Sequence, residues 1–158
     1  MARLLWLLPA AVLLVLDRFL KTWAASTLTL GRPEPLVGNA IRLSLVHNTG
    51  GAFGLFPGNP AAFIAISSLI AAALLLLLVS RWVRGWRMRI GLAVLLAGAV
   101  GNLIDRALYG HVVDFFEIRG LFVFNLADAC VTVGAGLIVL HVLFGGERHR
   151  PGRQADHL

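Results

Sequence analysis

One cysteine, Cys130, in 158 residues excludes an intrachain disulfide, so no covalent brace ties this chain to an oxidising compartment. Charge is scarce too: Asp, Glu, Lys and Arg make up 14% of the residues, and only eight side chains are acidic. With 58% hydrophobic residues and a mean hydropathy of +0.82, a water-soluble domain is excluded. Metal signatures are missing. His47 and His111 have no HExxH-type partner, and Asp114 with Glu117 underdetermines a site, so neither a metal nor another cofactor is expected. Ser67 and Ser68 lie in an apolar run without a basic partner. His141 follows Cys130 by about 16 Å along a regular helix, which removes a Cys–His nucleophile.

What is present is sequence of hydrocarbon length. Four stretches, approximately residues 4–20, 61–79, 90–108 and 126–144, meet or approach the roughly 20 apolar residues that cross a bilayer. The expectation is a membrane all-α fold, one domain over residues 1–144 with four transmembrane helices, followed by a mobile cytoplasmic tail at 145–158. The first stretch could be read as a cleaved signal peptide, but Asp17, Arg18, Lys21 and Trp23 stand where a cleavage region is small and uncharged, which favours a retained helix.

Basic residues set the orientation. Arg81, Arg84, Arg87 and Arg89 crowd the short connection between helices two and three, with Arg3, Arg148, Arg150 and Arg153 on the same side. Both termini are therefore expected in the cytoplasm. The net charge of +6 and pI near 11.3 come mostly from residues flanking spans, where anionic headgroups attract them, and no nucleic-acid module accompanies them.

Between the first two spans runs a long outer segment. Ile41, Leu43 and Leu45 alternate with Arg42 and Ser44, so a small extracytoplasmic β-structured segment is expected at about residues 36–56. Ala97 with Gly101 on helix three, and Cys130 with Gly134 on helix four, have the small-xxx-small spacing that permits close helix approach.

Carboxylates at membrane depth cost about 2.5–3.5 kcal/mol on insertion scales and are kept for a task or neutralised by a partner. Asp17, Asp105, Asp114 and Asp128 all fall at outer span ends or in the loop joining spans three and four. Asp17 and Lys21, four apart, share a helix face and can form an interfacial ion pair. Asn102 shares a face with Asp105 and Arg106, and the Arg106 fork can hold a carboxylate or carbonyl oxygen. Asp105 reads as a structural ion-pair or cap residue. Asp114 sits among apolar neighbours in Val112-Val113-Asp114-Phe115-Phe116, and Asp128 lies in the first turn of helix four. Two close, desolvated aspartates tend to share one proton, so one can polarise a peptide carbonyl while the other takes a proton from water.

Taken in order, Asp17-Arg18-Phe19-Leu20-Lys21, Asn48-Thr49-Gly50-Gly51-Ala52-Phe53-Gly54, Gly101-Asn102-Leu103-Ile104-Asp105-Arg106, Val112-Val113-Asp114-Phe115 and Phe124-Asn125-Leu126-Ala127-Asp128 resemble the motif series of lipoprotein signal peptidase, or signal peptidase II, across essentially the whole chain. That resemblance implies a bacterial inner-membrane aspartic endopeptidase that cuts prolipoproteins before a diacylglyceryl-modified cysteine. It further implies Asp114 and Asp128 as the catalytic dyad at the outer face, and Asn48, Asn102, Arg106 and Asn125 as cleft residues. Asp17 and Lys21 would support the site from helix one. The implied partners are diacylglyceryl-modified prolipoproteins and membrane lipids, with no nucleic acid, and the chain is expected to act as a monomer. Leu20 and Gly51 depart from the family's more usual Thr or Ser and Ala.

Two rivals make different demands. A Mg²⁺-dependent lipid-headgroup transferase would lose activity on chelation. A transporter subunit with a proton relay would spread its carboxylates across the bilayer rather than gather them at one side.

Overall fold

The computed structural model describes residues 3–49, 60–83 and 85–144. Sequence features at residues 50–59, at Arg84 and in the 145–158 tail lie outside the described residues. Among the described residues, four helices and four strands follow one another as α1 (Leu7–Thr27), β1 (Glu34–Val37), β2 (Ile41–Asn48), α2 (Pro60–Val79), α3 (Trp86–Tyr109), β3 (Val112–Ile118), β4 (Phe122–Phe124) and α4 (Leu126–Phe144). A 3-10 turn over Leu4–Trp6 leads into α1, and Pro9 falls in its first turn, where a missing N–H costs no helical hydrogen bond.

α2, α3 and α4 are each long and apolar enough to cross a membrane, and the chain is a multi-pass membrane protein. α1 has 21 residues but places Asp17 at its midpoint and Arg18 and Lys21 just beyond it, so length and composition alone do not qualify it. It also runs a further two turns past the expected end at Leu20, and α3 begins four residues before the expected Ile90.

α3 is the central element, packing on α1, α2 and α4. Leu78 of α2 and Leu92, Ala93 and Leu96 of α3 form the core of the helical part, with Ala10 and Ala71. The α3–α4 seam is closer than side chains would allow. A Cβ on Gly98 would stand 2.3 Å from the Ala127 carbonyl oxygen, and one on Gly134 2.5 Å from the Leu95 nitrogen. The two expected small-residue pairs therefore fare differently. Cys130 and Gly134 share the buried face of α4, whereas Ala97 turns into the α1–α2–α3 core, and Gly101 faces Asp17 and Ala127.

The sheet is larger than the sequence suggested. Its order is β1-β2-β3-β4, all antiparallel, so the loop between α3 and α4 contributes half of it. The β-branched and aromatic run Val112-Val113-Asp114-Phe115-Phe116 carries the strand signal that had been read only as an apolar setting for Asp114. Arg42 and Glu117, cross-strand neighbours, form a two-pronged ion pair that pins the register. Ala24 of α1 and Leu28, the residue that caps its end, pack with Leu45, Val113 and Phe115, seating the sheet on the C-terminal end of α1.

The simple alternation expected of β2 does not hold. Leu43 pairs with Phe116 and Val46 with Asp114, so three steps on β2 match two on β3 and a bulge lies between them. A one-residue offset exchanges the faces of everything beyond it. Val46 and Asn48 thereby join Leu43 on the face of Asp114, while Leu45 is buried with Val113 and Phe115. That bulge is what aims Asn48 at the candidate site.

Candidate active site

Asp114 comes from the middle of β3 and Asp128 from the first turn of α4, and both are held by asparagines. Asn48 Nδ2 donates to Asp114 Oδ2 at 2.8 Å, and Asn125 Nδ2 donates to Asp114 Oδ1 at 2.6 Å. Asn102 Nδ2 donates to Asp128 Oδ1 at 2.7 Å. Asn125 Nδ2 also reaches Asn102 Oδ1 at 3.1 Å, so one amide cluster joins the two carboxylates.

The local sequence explains the placement of Asp128. Asn125 is the N-cap of α4: its Oδ1 accepts from the Asp128 amide at 2.9 Å, and Asp128 Oδ2 accepts from the Asn125 amide at 3.2 Å. This reciprocal pair is a capping box, with Asp in the position more often held by Glu. Its carboxylate also lies in the positive field of the helix N-terminus. A second cap arrives from another helix, since the Ala127 amide donates to Asp17 Oδ1 at 3.0 Å. Gly101 makes room for it, because a Cβ there would stand 2.7 Å from Asp17 Oδ2.

Beneath the asparagines lies a buried ionic network. Lys21 Nζ contacts Asp17 Oδ2 at 3.1 Å and Asp105 Oδ2 at 2.8 Å, and donates to Asn102 Oδ1 at 3.0 Å. Those three contacts use all three ammonium protons. The third has a directional effect: with Oδ1 held by Lys21, the Asn102 NH2 group must face Asp128. Arg18 ties the same carboxylates together, through Nη1 to Asp105 at 2.6 Å and Nη2 to Asp17 at 3.0 Å. Asp105, wholly buried, accepts in addition from the Val113 amide at 3.2 Å and so anchors the start of β3 next to Asp114.

Arg106 lies within electrostatic reach of Asp128, Asp114 and Asp105, and its guanidinium stands 4.4 Å over the Phe63 ring. The eight residues singled out from sequence, Asp17, Lys21, Asn48, Asn102, Arg106, Asp114, Asn125 and Asp128, thus come together at one end of the bundle. Arg18, Gly101 and Phe63 were not foreseen. For Arg18 a signal existed: one residue beside a membrane carboxylate, it needed an anionic partner of its own.

Burial pushes the Asp114 carboxyl up to about 6; the Asn48 and Asn125 donors oppose this, and the nearby Asp128 charge adds to it. Asp114 is 1% exposed, so loss of hydration is felt in full. The pair therefore consists of a carboxyl that holds its proton to higher pH than an ordinary aspartic acid and a second aspartate at a helix N-terminus. Such a pair can supply and withdraw protons on the two sides of one reacting carbonyl.

Comparison with known proteins bears on this geometry. Residues 9–144 match the family model described as Signal peptidase (SPase) II. The chain is 35% identical over 145 residues to the lipoprotein signal peptidase of Brevibacillus brevis, covering 90% of this chain and 97% of the relative. It is 36% identical to that of Clostridioides difficile, covering 93% and 100% of the two chains. A solved bacterial membrane enzyme superposes with a TM-score of 0.83 at 27% identity, covering 93% of this chain and 94% of that one.

Proposed function

This chain belongs to the signal peptidase II family of peptidases, and from that premise we propose that Asp114 and Asp128 are its catalytic dyad, acting on prolipoproteins just before a diacylglyceryl-modified cysteine. The observation that carries the reading is the asparagine cluster that joins the two buried-edge carboxylates through Asn48, Asn102 and Asn125. In this reading Asp114 carries the shared proton and polarises the scissile carbonyl oxygen. Asp128, which accepts from the Asn102 amide and the Asn125 N–H at the start of α4, takes a proton from the attacking water. Collapse of the tetrahedral intermediate returns a proton to the leaving amine, and the pair ends as it began. The titration belongs to the two groups jointly. No metal and no covalent intermediate are required.

The supporting residues divide by chemistry. Lys21 and Asp17 fix Asn102 and the α4 N-terminus; Arg106, with asparagine amides released from the carboxylates, orients main-chain carbonyls of an extended peptide. The membrane setting follows the substrate. Acyl chains remain in hydrocarbon while the peptide bond needs water, so the dyad belongs at the outer interface of the bacterial inner membrane. α1 then forms the fourth span, its exposed Leu8, Val12, Val15 and Phe19 facing lipid, with both termini cytoplasmic and the monomer as the working unit. The test is mass-spectrometric mapping of products from two synthetic precursors, one with a diacylglyceryl cysteine and one with free cysteine. Cleavage of the first alone, at the bond before the cysteine, is expected; equal cleavage of both would contradict the substrate assignment.

A further inference from the structure

A cavity of ≈ 440 Å³ lies between α1, the C-terminal end of α3 and the facing ends of β2 and β3, and the dyad does not line it. Its wall includes Arg18, Thr22, Ser26, His47, Tyr109 and His111. The Thr22 and Ser26 hydroxyls donate to the Arg18 and Trp23 carbonyls, which leaves the His47 and His111 imidazoles, the Tyr109 hydroxyl and the Arg18 Nε–H as the donors free to meet a ligand. The one carboxylate, Asp105, is already taken by Arg18, Lys21 and the Val113 amide. The His47 and His111 rings stack at 4.1 Å between centroids and present two imidazole edges together. Two imidazoles, a phenol and a guanidinium N–H, beside a carboxylate that is already neutralised, can together meet an anionic oxygen.

The surface leading to it identifies the source of that oxygen. Leu8, Val12, Val15 and Phe19 are 59%, 65%, 68% and 65% exposed and follow one another by four, three and four residues, a single lipid-compatible stripe on α1. Three and seven residues beyond Phe19 the same face presents Thr22 and Ser26, in the cavity wall. From Leu8 to Phe19 the helix rises about 16 Å, close to half of the roughly 30 Å hydrocarbon core. Thr22 and Ser26 thus follow a stripe about as long as one leaflet's acyl region, and Trp23 and Tyr109, aromatic side chains of the kind enriched at membrane interfaces, are exposed at the same end of α1 and α3.

We propose that this cavity binds the phosphate of a membrane glycerophospholipid whose acyl chain lies along the α1 stripe. The site is distinct from the peptidase substrate's own lipid, a diacylglyceryl group without phosphate. It would close the open side of the Arg18–Asp105–Lys21 network.

The experiment is native mass spectrometry of the purified full chain released from detergent, titrated with phosphatidylglycerol or with diacylglycerol bearing the same acyl chains. Phosphatidylglycerol is expected to bind at least about tenfold more tightly. Ser26→Trp, which fills the cavity, and His47→Ala combined with His111→Ala, which removes donors while leaving α1 intact, should each weaken it about fivefold or more. Inorganic phosphate at millimolar concentration should not displace it. Equal binding of the two lipids, unchanged phosphatidylglycerol binding in the folded variants, or displacement by inorganic phosphate would each overturn the proposal.

Discussion

Asp114→Asn should change how stability depends on pH, and the size of the change follows from burial. The folded carboxyl titrates at about 6 against an ordinary 3.8. A raised carboxyl pKa means that the folded state binds the proton more tightly than the unfolded chain. The resulting stabilisation is complete below the ordinary pKa and is lost as pH rises through the folded value. Between pH 4.5 and 7.5 this one group should remove about 2 kcal/mol of stability. Asparagine does not titrate, so the variant should lack that component whatever its absolute stability. Thermal unfolding in detergent, for wild type and Asp114→Asn at both pH values, gives a double difference in which titrating groups remote from the pair cancel and the coupled Asp114–Asp128 titration remains. The wild type should lose more stability than the variant between pH 4.5 and 7.5. Parallel pH dependence of the two proteins would refute the reasoning, because it would mean that Asp114 ionises as freely in the fold as in water.

Other perturbations probe the supporting groups. Gly101→Ala puts a Cβ 2.7 Å from Asp17 Oδ2 and 3.2 Å from the Ala127 Cβ, so it should cost about 1–3 kcal/mol and lower precursor cleavage by disturbing the α4 cap. Gly136→Ala, with nothing within 4 Å, is the control and should leave the unfolding temperature and cleavage rate near wild type. Lys21→Met leaves Asp17 and Asp105 short of a cation and frees the Asn102 amide to rotate. A destabilisation of about 3–5 kcal/mol is expected from the broken buried pair. Lys21→Arg should not restore the cleavage rate, because a planar fork cannot reproduce the three directions of the ammonium contacts.

Much of the molecule was legible because apolar length and charge scarcity leave a chain few options. α4 could be bounded from its apolar run, and Asp128 placed in its first turn. The β3–β4 half of the sheet has no alternating signature because Val112 to Phe115 is buried on both faces, which removes the pattern that betrays a half-buried strand. Asn48 could be named from its motif, but its partner could not: only the β2 bulge, set by pairing between segments far apart in sequence, puts it on the face of Asp114. The Asp17 contact to the Ala127 amide spans 110 residues and leaves no local trace. Gly101, which the small-residue spacing marks for helix packing, lies close to Ala127 of α4 and also clears space for the Asp17 carboxylate.

The most direct measurement is cleavage of a diacylglyceryl-modified precursor by purified wild type, Asp114→Asn and Asp128→Asn, each with and without a metal chelator, after far-ultraviolet circular dichroism has shown all three to be folded. Wild-type cleavage unaffected by chelation and no cleavage by either variant is the expected result. Turnover at the wild-type rate by either variant, or loss of wild-type turnover on chelation, would contradict a water-activating pair of aspartates.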